Sequence, residues 1–292
     1  MAKILATGLN PAWQRVLTLP TLQPGAVNRV HVAGLLASGK GINAAKVLAR
    51  MGHEVSLLQI LAGENGRRCQ EACGKWNIHS LHVRAHGEMR TCTTLLSESD
   101  GAATEIIEPF SVEDPDLTEQ ILARIKPNSV FDAVLICGTV PHGIPESIYG
   151  DILRQVKPAN VLWDSVTGLT PKLLDRVSWL KMNAEEFASL SSLTAASRPK
   201  ALITEGAKAA RVLHSGSADG TYVLPPLAKT LNPIGAGDTV TAALADGLLR
   251  GLGEEPAVRR ALSFGMASCL SPLPADYNPQ DAQALELKIR KE

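Results

Sequence analysis

Residues Gly34 to Gly52 read GLLASGKGINAAKVLARMG, and the reading of this stretch decides between two folds. Gly34, Gly39 and Lys40 fit G-x-x-x-x-G-K, the spacing of the loop that wraps nucleotide phosphates in P-loop proteins. Such a loop continues with Ser or Thr to hold magnesium, whereas this chain has Gly41. Ser38, Gly39 and Gly41, with Lys40 and Asn43, stand instead at the mouth of a helix that carries Ile42, Ala45, Val47, Leu48 and Met51 and stops at Gly52. A helix amino terminus furnished with a cation and an amide suits an anionic, hydroxyl-rich ligand. A tight turn with a solvated lysine is the competing reading.

Around this stretch, short apolar runs alternate with amphipathic segments. VSLLQI (Val55 to Ile60), AVLICG (Ala133 to Gly138), NVLWD (Asn160 to Asp164), WLKMN (Trp179 to Asn183) and ALIT (Ala201 to Thr204) read as buried strands. Between them, Ile148, Ile152 and Val156 share a helical face after Pro145, and Val240, Leu244 and Leu248 make an i, i+4, i+8 stripe. Val258, Ala261, Leu262 and Cys269 make a third. The alternation predicts an α/β fold whose mostly parallel sheet is covered on both faces. In such sheets ligands sit beyond the carboxyl ends of the strands. Val16 to Ala33 and Arg90 to Ile107 break the pattern and read as a small antiparallel appendage.

The bulk numbers exclude several classes. The 292 residues carry 29 Lys+Arg against 29 Asp+Glu, which gives no electrostatic case for nucleic acid or an anionic membrane. No apolar run approaches the ~20 residues of a membrane span. MAKILATGLNPAW reads as a first strand, and five cysteines without a C-x-x-C pair read as reduced thiols in a cytoplasmic protein. Cys69 and Cys73 can share a helix face, but no histidine lies close enough in sequence to complete a zinc site.

Several segments have the residue types for chemistry. In LNPIGAGDTVTAALADGLL (Leu231 to Leu249), Gly235, Ala236, Gly237 and Asp238 stand where a helix begins. The first N–H groups of a helix lack internal acceptors, and small residues let a phosphate approach them. Asp238 there is either a base toward an incoming hydroxyl or a helix cap. In NAEEF, Asn183 and Glu186 can hold a hydrated magnesium ion, or form a capping box, or both. Gly138 and Thr139 in CGTVPHG, and Thr204 and Gly206 further on, end strands where a ligand can lie. Arg29 and Arg90 are candidate anion contacts on the β-rich appendage, with a solvated surface charge as the alternative for each.

Taken in chain order, LNPAWQ, PGAVNRV, SGKGINAAKVLARMG, EMRTC, TEIIEP, CGTVPHGIP, LKMNAEE and NPIGAGDT resemble the motifs of the PfkB, or ribokinase-like, sugar kinases. The likeness points to the branch acting on phosphorylated ketohexoses, that of 1-phosphofructokinase and tagatose-6-phosphate kinase. The resemblance implies a three-layer αβα ribokinase-like fold in one domain, residues 1–292, with a β lid formed by about 12–33 and 88–109. It implies that Asp238 is the catalytic base and that the Gly235, Ala236 and Gly237 amides hold the transferring phosphoryl group. Asn183 and Glu186 would organise ATP with Mg2+, the metal through water. Thr204 and Gly206 would contact ATP, and Ser268 would lie near the adenine. Gly39, Lys40, Asn43 and Arg90 would grip the sugar phosphate. Gln14 stands where the family usually carries an Asp that binds sugar hydroxyls. The expected acceptor is fructose 1-phosphate. Gln14 keeps open an unphosphorylated sugar or nucleoside, or a sugar-phosphate sensor. A lid with free strand edges predicts pairing with a second copy.

Overall fold

The apolar runs become strands buried almost end to end. In the computed structural model, which describes residues 1–190, 199–214 and 217–292, β1 (Lys3–Gly8) and β4 (Glu54–Ala62) each expose only their first residue. With β5 (Ile78–Ala85), β8 (Ser129–Cys137), β9 (Val156–Asp164), β10 (Trp179–Asn183) and β11 (Lys200–Thr204) they form the parallel part of a ten-stranded sheet. Three antiparallel strands, β12 (Ala209–His214), β13 (Ser217–Val223) and β14 (Arg290–Lys291), extend it, in the order β14-β13-β12-β11-β10-β9-β8-β1-β4-β5. The chain leaves β1 toward β4 on one side and returns through β8 on the other. The strand order therefore reverses beside β1, where a crevice opens at the carboxyl ends.

Two groups of helices cover the sheet. In one, α1 (Lys40–Arg50) packs on α7 (Ala236–Leu249), and α7 continues through α8 (Glu254–Ser268) to α9 (Pro279–Glu286). In the other, α3 (Leu117–Ala123) packs on α4 (Ile148–Gln155). Among the described residues the other helices are α2 (Gly63–Lys75), α5 (Pro171–Leu174) and α6 (Ala184–Ser189). The helix stripe expected to run from Ile148 through Val156 stops at Gln155. Val156 opens β9 instead, paired with Ser129, and Pro158 two residues on suits a strand and not a helix interior. Cys69 and Cys73 do share a face of α2, both fully buried as neutral thiols, with burial pushing each pKa up.

The β-rich appendage is a separate four-stranded sheet, β3-β2-β6-β7, built from β2 (Ala12–Leu19), β3 (His31–Ser38), β6 (Thr91–Ser97) and β7 (Ala103–Ile107). Its outer pairings are antiparallel, while the central β2–β6 pair, which joins two hairpins from different parts of the chain, runs parallel. The sheet reaches Ser38, five residues beyond the stretch that the polar alternation marked.

Gly41 explains why the opening stretch is not a P-loop. A Cβ on Gly41 would stand 2.5 Å from Gly8 Cα and closer still to the Thr7 carbonyl oxygen. Helix α1 thus lies backbone to backbone on the end of β1, and a hydroxyl side chain has no room there. Gly41→Ala is expected to lower stability by several kcal/mol, beyond the ~1–3 kcal/mol of ordinary overpacking, because the obstructing atoms are backbone. Gly74→Ala, in α2 with open space around it, should raise stability by about 0.5 kcal/mol. Urea unfolding of the two variants measures both; equal stabilities would contradict the backbone contact.

Candidate active site

Helix α7 begins where the carboxyl ends of β8, β9 and β10 converge. Its N-cap, Gly235, has φ 81° and ψ −2°, a left-handed conformation open to glycine at little cost. A Cβ on Gly235 would meet Ala275 N at 2.7 Å, and one on Gly237 would meet Lys181 Nζ at 2.6 Å. Gly235 is therefore fixed by both backbone angle and close packing, and Gly237 by the approach of the Lys181 ammonium. Asp238 follows in the first turn and is 7% exposed. It does not cap its own helix. Asn43 of α1 donates from Nδ2 to Asp238 Oδ2 at 2.7 Å, across 195 residues of chain.

A second carboxylate lies beside it. Asp164, the last residue of β9, is 1% exposed and accepts from Lys40 Nζ at 2.8 Å and from Thr241 Oγ1 at 2.6 Å, with Lys181 Nζ at 3.5 Å. Lys40 also donates to Glu186 Oε1 at 2.7 Å. Burial would push the Asp164 carboxyl up, but Lys181 and Lys40 outweigh it and hold it below the usual range. Asp238 goes the other way. Burial and then the Asp164 charge raise its pKa to about 6, against the pull of Lys40, Asn43 and Lys181. One carboxylate is thereby kept ionised while its neighbour is poised to gain or lose a proton near neutrality.

Asn183 and Glu186 do form a capping box. Asn183 Oδ1 accepts from Glu186 N at 2.8 Å, and Glu186 Oε2 accepts from Asn183 N at 2.9 Å. The other Glu186 oxygen faces Lys40, so the capped turn also holds a charged oxygen in place at the site.

A cleft of about 190 Å³ opens in front of this cluster, lined among others by Gly39, Lys40, Arg90, Thr139 and Glu186. Arg90 donates to the carbonyl oxygens of Asn10 at 2.7 Å and Pro11 at 3.2 Å, and Asn10 Nδ2 donates to Thr139 Oγ1 at 3.0 Å. A larger hollow, about 460 Å³, lies at the other end of β10 and β11 beside Trp179, Lys200 and His214, and it contains none of these residues.

Other expected site residues stand apart. Gln14 is buried within the small sheet and donates to Thr94 Oγ1 at 2.7 Å. Arg29 is exposed on the segment between β2 and β3. Thr204 ends β11 in register with Asn183 and donates to the Met182 carbonyl, and Gly206 follows with φ 64°. Ser268 is 1% exposed and its hydroxyl donates to Gly265 O inside α8. Sequence reading missed Asp164, Lys181 and Thr241. A charged residue closing an apolar strand at the ligand-binding edge of a parallel sheet was the available signal for Asp164.

The chain is similar in sequence and fold to known carbohydrate kinases. The profile of the pfkB family of carbohydrate kinases matches residues 2–281. A tagatose-6-phosphate kinase of Staphylococcus epidermidis is 26% identical over 91% of this chain and 92% of its own. A 1-phosphofructokinase of Vibrio cholerae is 28% identical over 90% and 88%. Among solved structures, phosphofructokinase-2 from Escherichia coli in complex with fructose-6-phosphate superposes with a TM-score of 0.80 at 19% identity, covering 99% of each chain. Ribokinase from Thermotoga maritima gives 0.73 at 16% identity, covering 99% of this chain and 100% of its own.

The raised Asp238 pKa carries a stability cost. Between its unfolded value, about 3.9, and about 6 in the fold, the folded state binds more protons, so stability falls as pH rises through that window. Asp238→Asn keeps an acceptor for Asn43 and removes the charge. It should be more stable than the wild type at pH 7 by on the order of 1–3 kcal/mol, with the gain disappearing at pH 4. Thermal unfolding at the two pH values measures this, and a variant less stable at pH 7 would refute the buried charge.

Proposed function

The chain belongs to the pfkB family of carbohydrate kinases, and from that membership and the site's geometry we propose that it transfers the γ-phosphoryl group of ATP to a hydroxyl of a phosphorylated ketohexose, fructose 1-phosphate first. The observation that carries the reading is Asp238: a buried carboxylate with a pKa of about 6, held by Asn43 at 2.7 Å at the amino end of α7. At neutral pH it is mostly ionised and able to take the proton of an attacking alcohol, a role typically giving ~10²–10⁴-fold in rate. The amides of Gly235, Ala236 and Gly237, at the positive end of the α7 dipole, would stabilise the charge that grows on the transferring group. Phosphoryl transfer asks for little else besides alignment.

Lys40 and Arg90 line the cleft and support a phosphorylated acceptor, with Gly39, Asn43 and Thr139 as its neutral contacts and Arg29 as a further cation on the segment between β2 and β3. ATP would lie on the side of Thr204, Gly206 and α8. The Ser268 hydroxyl is committed within its helix, so that residue would contribute packing. Magnesium prefers hard oxygen donors and keeps several waters. Asp164 and Glu186, which already share one ammonium between them, fit that requirement, with Asn183 beside Glu186. These residues would hold the ion through water, where it would neutralise phosphate charge. The four-stranded sheet would close over the sugar as a lid and exclude water. It exposes Val32, Leu35, Ile106 and Ile107, with Val27 exposed on the segment before β3, and two free strand edges, which supports a homodimer formed through it. Five unpaired cysteines fit a reducing cytoplasm.

Gln14 favours a second reading. A neutral amide spent on Thr94 where the family carries a carboxylate suits an unphosphorylated sugar or a nucleoside as acceptor. ADP release across a panel of sugar phosphates, free sugars and nucleosides separates the two; ribose or a nucleoside outpacing every sugar phosphate would remove the first. With the best acceptor, kcat should fall on the acid side around pH 6, and Asp238→Asn should lower it by ~10²–10⁴-fold. Light scattering at micromolar concentration should give the mass of two chains, and a monomer mass would dismiss the lid interface.

A further inference from the structure

Lys46 lies one turn beyond Asn43 on α1 and is 6% exposed. Its Nζ donates to the Pro274 carbonyl oxygen at 2.7 Å and stands 5.5 Å from the centre of the Trp76 ring. Asp276, the carboxylate that acts on it, is itself paired with Arg50 at 2.5 Å. A buried ammonium served by one carbonyl and one ring is costly, and simple filling of this space would be met by an apolar side chain.

The carbonyl it holds belongs to a strained segment. Ala275, the next residue, has φ 50° and is fully buried. A non-glycine residue in the left-handed region persists only where its surroundings over-determine it. That same Pro274–Ala275 peptide backs the turn at the head of α7: a Cβ on Gly235 would meet Ala275 N at 2.7 Å and Pro274 C at 3.2 Å. Asn232, fully buried just before the turn, donates to Pro272 O at 2.9 Å and accepts from Ile234 N. The turn and the segment 272–275 are therefore one packed unit, and Lys46 fastens it to α1.

We propose that Lys46 is a positioning residue for phosphoryl transfer: by pinning the Pro274–Ala275 peptide it sets the place of the Gly235–Gly237 turn relative to Asp238, which the same helix holds through Asn43. The proposal rests on the reading of that turn as the cradle of the transferring group. Lys46 does not touch the reactants. Burial pulls its pKa down to about 8, with Asp276 pulling up and Arg50 pushing further down. The charge on the tether is thus present below about pH 8 and lost above it, which leaves a neutral amine as a weaker donor to the carbonyl.

Steady-state kinetics of Lys46→Met and Lys46→Arg from pH 6 to 10, with an acceptor that the wild type turns over, test it. The wild type should lose kcat through an alkaline limb near pH 8. The Met variant should show kcat reduced about tenfold or more at pH 7, sugar KM within about threefold, and no limb; the Arg variant should keep kcat and move the limb upward. A Met variant with wild-type kcat and pH profile overturns the proposal, as does an Arg variant no better than Met. Amide hydrogen exchange supplies a readout independent of turnover and of the Met variant's folding. In the wild type, after correction for intrinsic rates, protection of residues 271–277 should drop at least severalfold between pH 7 and 9 while that of α8 holds. Equal protection on both sides of pH 8 would refute the tether even if the chain phosphorylates sugars, whereas a protection change with no turnover on any acceptor would leave the tether standing and sink the kinase assignment.

Discussion

Two carboxylates, Asp164 and Asp238, sit side by side in the interior of an apolar sheet-and-helix packing, and both cannot carry charge there without cations. Lys40 and Lys181 supply them. The demand for neutralisation ties four elements to one point: β9 and α7 bring the acids, while α1 and β10 bring the ammonium groups. Breaking a buried pair by removing one partner typically costs ~3–5 kcal/mol, so the constellation holds the crevice in shape. Its asymmetry is the useful part. Asp164 receives most of the positive charge and stays ionised, and Asp238 is left with a raised proton affinity.

Much of this was legible in the residue order. Apolar runs bounded by turn residues located the strands named from sequence, and small residues ahead of helical stripes located the mouths of α1 and α7. What could not be read were relations between distant residues. Asp164 gains its meaning from Lys40, 124 positions away, and nothing in NVLWD announces that partner. Val156 satisfied a helical stripe by spacing, yet pairing with Ser129 claimed it for a strand. β5 and the antiparallel strands β12 to β14 were not read because their alternation is broken by polar and small residues. Gln14 was read as a site residue from its place in a motif. Its partner, Thr94, lies on a strand that reaches it only through the parallel pairing of β2 with β6.

Of the two readings of NAEEF, the capping box is the one that forms, and it leaves an oxygen of Glu186 free for the cluster. A capping box consumes one oxygen of Glu186 and fixes the side chain; the oxygen left over is thereby aimed at Lys40. Local helix-end chemistry and the long-range site share one residue because a carboxylate has two oxygens. The opening stretch resolves differently. Close contact between α1 and β1 at Gly41 leaves no volume for the hydroxyl that a P-loop would need, so packing decided between the folds.

Helix α1 presents Lys40, Asn43 and Lys46 within two turns, each reaching across at least 124 residues of chain to a different part of the crevice. Such a helix behaves as a shared ruler: a shift at one of these three contacts displaces the other two by a similar amount. Change is then channelled away from α1 and into the small sheet, where the Gln14 side chain donates to Thr94. Lineages built on this scaffold should drift fastest there, and engineers seeking a new acceptor should start with that pair and leave the ruler alone.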